Sequence, residues 1–220
     1  MDLEREKQLA AEAALTYLAD GMTVGLGTGT TVAHLLPALA RCGLSLRCVA
    51  TSPRTATAAQ ELGLAVEEFE TIDRLDVTID GADQVSPDGW LVKGGGGAHT
   101  REKVVAAAAD RFVVIVDSSK PVAALCAPIP LELLDFGLAA TLRHIGAVVV
   151  RAGTAPSPDG GVIADYVGEV VDPAALAAHL ASTPGVVGHG LFPPDLVDVV
   201  LVGRGEAVER IDVGRGSFAP

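Results

Sequence analysis

The run FVVIVD at 112–117 places apolar residues at both odd and even positions before its closing acid. Successive strand residues face opposite sides of a sheet, so a strand with no polar face must be covered on both. The first half of the chain supplies the covers. Helical apolar spacing runs through 4–19, 32–39 and 101–109, and Pro53 suits the first turn of a helix that Gly63 ends. Short strand patterns at 23–26, 47–50 and 77–80 fall between these segments. Alternation of this kind predicts an α/β fold, a Rossmann-like and mainly parallel sheet with helices on both faces.

The order changes after Pro128. A strand at 129–134, a helix at 136–145 and a strand at 147–151 are followed by a turn at 157–161. A strand at 162–167, a helix from Pro173 to 180 and a strand at 186–191 complete the series. This is β-α-β-β-α-β, the split ferredoxin-like unit. Patterns at 197–202 and 207–211 are expected to return to the first sheet. The expected domains are therefore 1–127 plus 197–220, Rossmann-like and catalytic, and 128–196, smaller and suited to oligomer contacts.

Composition narrows the function. With 49% hydrophobic and 20% charged residues the chain can bury a sizeable core. A net charge of −12 argues against a nucleic-acid partner, yet leaves room for a local pocket that takes one phosphate. The opening MDLEREKQLAAEAAL reads as an amphipathic helix rather than a signal segment, and no apolar stretch reaches membrane-spanning length. The three cysteines and five histidines lack metal-ligand spacing. A cytoplasmic protein with reduced thiols, no metal and no membrane partner is expected.

Four segments carry chemistry. GLGTGTT (25–31) is a strand-to-helix turn whose backbone N–H groups, with hydroxyls at Thr28, Thr30 and Thr31, suit a phosphate. It lacks a dinucleotide fingerprint, and a tight turn chosen for close packing explains it equally well. TSPRT (51–55) is a weaker signal, explained by a helix cap before Pro53. In DGAD, Asp80 and Asp83 close a strand where open α/β sheets place ligands, although Asp-Gly is also plain turn chemistry. Lys93 precedes Gly94, Gly95, Gly96 and Gly97. Four glycines supply no packing and cost backbone entropy, so they point to close approach of a ligand. Glu102 falls in a first helical turn, where the dipole and neighbouring Arg101 and Lys103 favour the ionised form a general base needs.

Taken together, these segments resemble the type A ribose-5-phosphate isomerase family nearly end to end. GLGTGTT, TSPRT, IDGAD, KGGGGAHTREK, DSSK (117–120) and PGVVGHGLF (184–192) stand in the family's order. The resemblance implies a homodimer or homotetramer acting on a sugar phosphate without cofactor, in the non-oxidative pentose phosphate pathway. It implies Glu102 as general base, with Asp80, Asp83 and Lys93 binding substrate and assisting ring opening. Thr28, Gly29, Thr30 and Thr31, with Lys7, would hold the phosphate end. Gly81, Ala82 and Gly94–Gly96 would line the substrate, and Lys120 would touch the sugar. Gln84 stands where the family usually has glutamate, and Gly97 and His99 also depart from its pattern. Two other classes remain open on sequence: a non-catalytic sugar-phosphate sensor, and a transferase of related fold that forms an acyl-glutamate.

Overall fold

The computed structural model describes residues 2–214; the 215–220 end of the expected first domain lies outside the described residues. In chain order the elements are α1 (Leu3–Ala14), β1 (Thr23–Leu26), α2 (Thr30–Arg41), β2 (Arg47–Ala50), α3 (Pro53–Glu61) and β3 (Ala65–Val66). Next come β4 (Val77–Asp80), β5 (Gln84–Val85), β6 (Leu91–Val92), α4 (His99–Ala107) and β7 (Phe112–Asp117). Then follow β8 (Ile129–Leu133), α5 (Leu138–Ile145), β9 (Val148–Val150), β10 (Val162–Tyr166) and α6 (Pro173–Ser182). The last are β11 (Val186–His189), β12 (Leu191–Phe192), β13 (Val199–Arg204) and β14 (Ala207–Asp212).

Two compact units emerge. The first takes 2–82, 101–120 and 194–214, and the second 83–100 and 121–193. This grouping moves the boundaries expected at 127/128 and 196/197, and it assigns 83–100 to the second unit. The reason is β5 and β6, strands too short to leave a sequence pattern, which pair antiparallel with each other while β6 also pairs antiparallel with β12.

In the first unit a seven-stranded sheet has the order β14-β13-β7-β4-β1-β2-β3, parallel except for the β13–β14 hairpin. FVVIVD is buried along its whole length. Val113 and Ile115 join a core with Ala10, Ala11 and Ala14 of α1 and Leu35 and Leu39 of α2. On the other side Val105 and Ala109 cluster with Val49 and Leu75, so both faces are covered as expected. At 0% exposure, Phe112 and Val114 need that second cover.

The second unit holds an antiparallel sheet, β11-β8-β10-β9, the strand order of a ferredoxin-like fold. Leu138, Leu142 and Ile145 of α5 and Leu176 and Leu180 of α6 pack on Ile129, Leu131 and Leu133 of β8. The single strand expected at 186–191 is two strands. β11 pairs with β8, whereas β12 pairs with β6. The break is at Gly190, where a Cβ would lie 2.1 Å from the Lys93 carbonyl oxygen.

Candidate active site

In the first unit the carboxyl ends of β1, β2 and β4 carry three loops. Gly27 lies against Asp80 so closely that a Cβ would fall 1.8 Å from the carboxyl carbon. That contact lets Asp80 Oδ1 accept from Thr28 N–H at 3.1 Å and from Gly81 N–H at 2.7 Å. Asp80 is fully buried. Its carboxylate thus ties the GLGTGTT loop to the DGAD turn, a scaffolding task the sequence did not disclose.

Gly29 has φ +136°, a backbone region essentially restricted to glycine, and caps α2 without a side-chain hydrogen bond. The first N–H groups of a helix have no partner within the helix, so this end offers open donors and a positive dipole. Gly29 and Thr30 are exposed there, and Thr31 is buried. Thr28 is turned elsewhere. Its hydroxyl lies 2.9 Å from that of Thr51, 2.8 Å from Ser52 and 3.2 Å from Thr55. Thr55 Oγ1 in turn donates to the Gly27 carbonyl at 3.0 Å. TSPRT, a weak signal on its own, therefore braces the loop.

Glu102 is 3% exposed in the first turn of α4. α4 leads into β7, a parallel neighbour of β4, so its N-terminal turn lies toward the carboxyl ends of the strands. Two contacts seat it. Thr78 Oγ1 donates to the Val105 carbonyl at 3.1 Å, and the missing side chain of Gly25 admits Val105. Burial pushes Lys103 down to about 7, so the cation expected beside Glu102 is only partly charged near neutrality.

Lys7 and Lys120 also belong to the first unit. The Lys7 ammonium pairs with Glu4 at 2.6 Å, and Glu4 also meets His34 at 2.9 Å. Lys120 follows β7, its N–H donating to the Asp117 carbonyl at 3.2 Å. In the sequence Glu6 is one more residue of a helix. It is fully buried, and its carboxylate accepts from Gly205 N–H at 2.8 Å and Ser118 N–H at 3.0 Å. It therefore fixes the start of the DSSK loop.

Asp83, Lys93 and the glycine loop belong to the second unit. Asp83 is exposed, and its Oδ2 accepts from Gly95 N–H at 2.9 Å. Lys93 is 2% exposed; its N–H donates to the Gly190 carbonyl at 2.8 Å, and its ammonium stands 5.4 Å from the Phe192 ring centre. Gly94 has φ +109°, and a Cβ there would lie 2.7 Å from His99 Nδ1 and 2.8 Å from Pro130. Both the backbone angle and the space demand glycine. His99 is fully buried under this loop, while Gly95 and Gly96 are exposed. Gln84 clamps the backbone of Cys126, donating to its carbonyl at 2.8 Å and accepting its N–H at 2.9 Å. A carboxylate could perform only half of that, which accounts for the amide here.

A family model described as ribose 5-phosphate isomerase A (phosphoriboisomerase A) matches residues 47–207. Ribose-5-phosphate isomerase A of Nitrobacter hamburgensis is 43% identical over 211 residues, 87% of this chain and 91% of that relative. Its counterpart in Caulobacter vibrioides is 42% identical over 226 residues, 96% and 99% of the two chains. Among solved structures, ribose 5-phosphate isomerase A from Neisseria gonorrhoeae gives a TM-score of 0.91 at 30% identity, covering 97% of this chain and 98% of that one. A D-ribose-5-phosphate isomerase in complex with phospho-erythronic acid also gives 0.91, at 32% identity, covering 96% and 100%. The chain belongs to the ribose 5-phosphate isomerase A family.

Proposed function

We propose that this protein interconverts D-ribose 5-phosphate and D-ribulose 5-phosphate through an enediolate, as the names of its relatives imply. The observation that carries the proposal lies in the first unit. An open helix N-terminus suited to phosphate and a buried acid in a first helical turn occupy the carboxyl side of one parallel sheet. That pairing supplies an anchor for the non-reacting end and a base for the reacting one.

After ring opening, Glu102 removes the proton from C2 of the aldose, holds it long enough for exchange with solvent, and returns a proton at C1. The electron pair left behind moves onto the carbonyl oxygen, and donors already in place stabilise that oxyanion without reorganisation. Lys93 and the glycine-loop amides Gly94, Gly95 and Gly96 are assigned this task. Asp80 is assigned proton movement during ring opening or between the two oxygens, and Asp83 orients hydroxyls. Gly29, Thr30 and Thr31, with Lys7, hold the phosphate on a loop that Thr28 braces; Gly81 and Ala82 line the substrate and Lys120 meets the sugar. Fixing the far end turns binding energy into alignment of C1 and C2 against the base.

A homodimer or homotetramer is part of the proposal. Phe136 at 92% and Val171 at 81% exposed are large apolar groups of the second unit that association would cover. A phosphorylated free sugar as substrate supports a cytoplasmic location. The test is purified protein with ribose 5-phosphate in chelator, following ketose. Steady ketose formation is expected; none would remove the proposal.

A further inference from the structure

Arg151 belongs to none of the motifs above, yet it reaches the glycine loop from within the second unit. It directly follows β9. Its Nε and Nη2 donate to the two carboxylate oxygens of Asp165 on β10, each at 2.7 Å. Its Nη1 donates to two successive glycine-loop carbonyls, Gly94 at 3.2 Å and Gly95 at 3.0 Å. Both side chains of the ion pair are largely covered, at 18% and 17% exposure. The hydrogen bonds to Asp165 are the main reason the guanidinium is held still more firmly protonated. A planar fork pinned along one edge offers its remaining donor in a fixed direction.

That direction matters because each peptide is planar and trans, with C=O and N–H pointing opposite ways. Drawing the Gly94 carbonyl toward Arg151 aims the N–H of Gly95 away from it, and that N–H meets Asp83 at 2.9 Å. Drawing the Gly95 carbonyl the same way aims the N–H of Gly96 away as well. Glycine has the widest choice of backbone angles, so four in a row would sample many orientations without such a tether. The loop's conformation is thus set by a charged anchor outside it.

We propose that Arg151, held by Asp165, is a positioning residue that orients the Gly95 and Gly96 amides and Asp83 for the reaction. The inference rests on the isomerase reading above, and the test separates the two. Wild-type protein and the Arg151→Ala, Arg151→Lys and Asp165→Asn variants are assayed with ribose 5-phosphate, with thermal unfolding as a check on folding. Arg151→Ala should lower kcat about tenfold to hundredfold, the scale of small misplacements, while KM changes less. Added guanidinium ion should restore part of that loss. Arg151→Lys keeps the charge but cannot grip Asp165 in two places while reaching two carbonyls, so it too should lose kcat.

A second readout needs no activity. Amide hydrogen exchange over 94–97 should accelerate in Arg151→Ala and Arg151→Lys while β8 and β10 remain protected. An inactive wild type would overturn the isomerase reading but leave the exchange result to judge the tether. An active wild type with kcat unchanged in Arg151→Lys, or with unchanged exchange over 94–97, would overturn the positioning role.

Discussion

Gly27→Ala tests the link between the GLGTGTT loop and Asp80. A Cβ at this position would lie 1.8 Å from both the carboxyl carbon and Oδ1 of Asp80. Ordinary carbon contacts lie at ~3.5–4.0 Å, so one partner must retreat by ~2 Å. If Asp80 moves, it loses Thr28 N–H and Gly81 N–H, two hydrogen bonds to a charged and fully buried group. Such bonds contribute ~1.5–3 kcal/mol each, giving a loss of ~3–6 kcal/mol. If the loop moves instead, overpacking costs ~1–3 kcal/mol and the helix N-terminus shifts with it. We expect a loss of ~3 kcal/mol, which for a chain of this size lowers Tm by ~6–12 °C. Scanning calorimetry reads the stability, and the KM for ribose 5-phosphate reads the loop. Gly29→Ala is the comparison: a Cβ there has open space, so only its backbone angle of +136° is strained, at ~1–3 kcal/mol. A Gly27→Ala variant with wild-type Tm and wild-type KM would refute the argument that this contact positions the loop.

Two further substitutions probe the scaffold. Glu6 is held ionised below its ordinary 4.5, chiefly by Gly205 N–H and then by Ser118. Its stabilisation is therefore complete above pH 4.5 and lost as pH falls through the lower folded value. Glu6→Gln should be less stable than wild type at neutral pH, and the gap should narrow in acid; a gap constant from pH 7 to pH 3 would contradict this. Gln84→Glu removes the donor to the Cys126 carbonyl and leaves two acceptors facing it. It should cost about 1–3 kcal/mol, read by chemical denaturation, whereas an unchanged midpoint would show the clamp to be dispensable.

Much of this was legible from the chain. FVVIVD announced a doubly covered strand because burial on both faces leaves no polar alternation to misread. The glycines were legible as a class, since four in a row have no packing purpose, and Gly94 does need its positive φ and its missing side chain. The roles of polar residues were less visible. Asp80 reads in sequence as a catalytic acid or a plain turn residue, yet its Oδ1 holds a loop 52 residues away in sequence. Glu6, Arg151 and Thr55 each act on backbone groups far along the chain, and a bond from a side chain to a distant backbone group leaves no pattern in the sequence. β5, β6 and β12, two residues each, escaped for the opposite reason: a strand that short has no period to detect.

Glu102 as the base of an enediolate mechanism is the central claim, and one isotope experiment addresses it directly. Ribose 5-phosphate carrying deuterium at C2 is converted in ordinary water by wild type and by Glu102→Gln, and the ribulose 5-phosphate is analysed by NMR. Wild type should give ketose with solvent hydrogen appearing at C1 and deuterium lost from the product, and Glu102→Gln should turn over ~10²–10⁴-fold more slowly. Complete retention of the C2 deuterium at C1, or a Glu102→Gln rate close to wild type, would contradict the account.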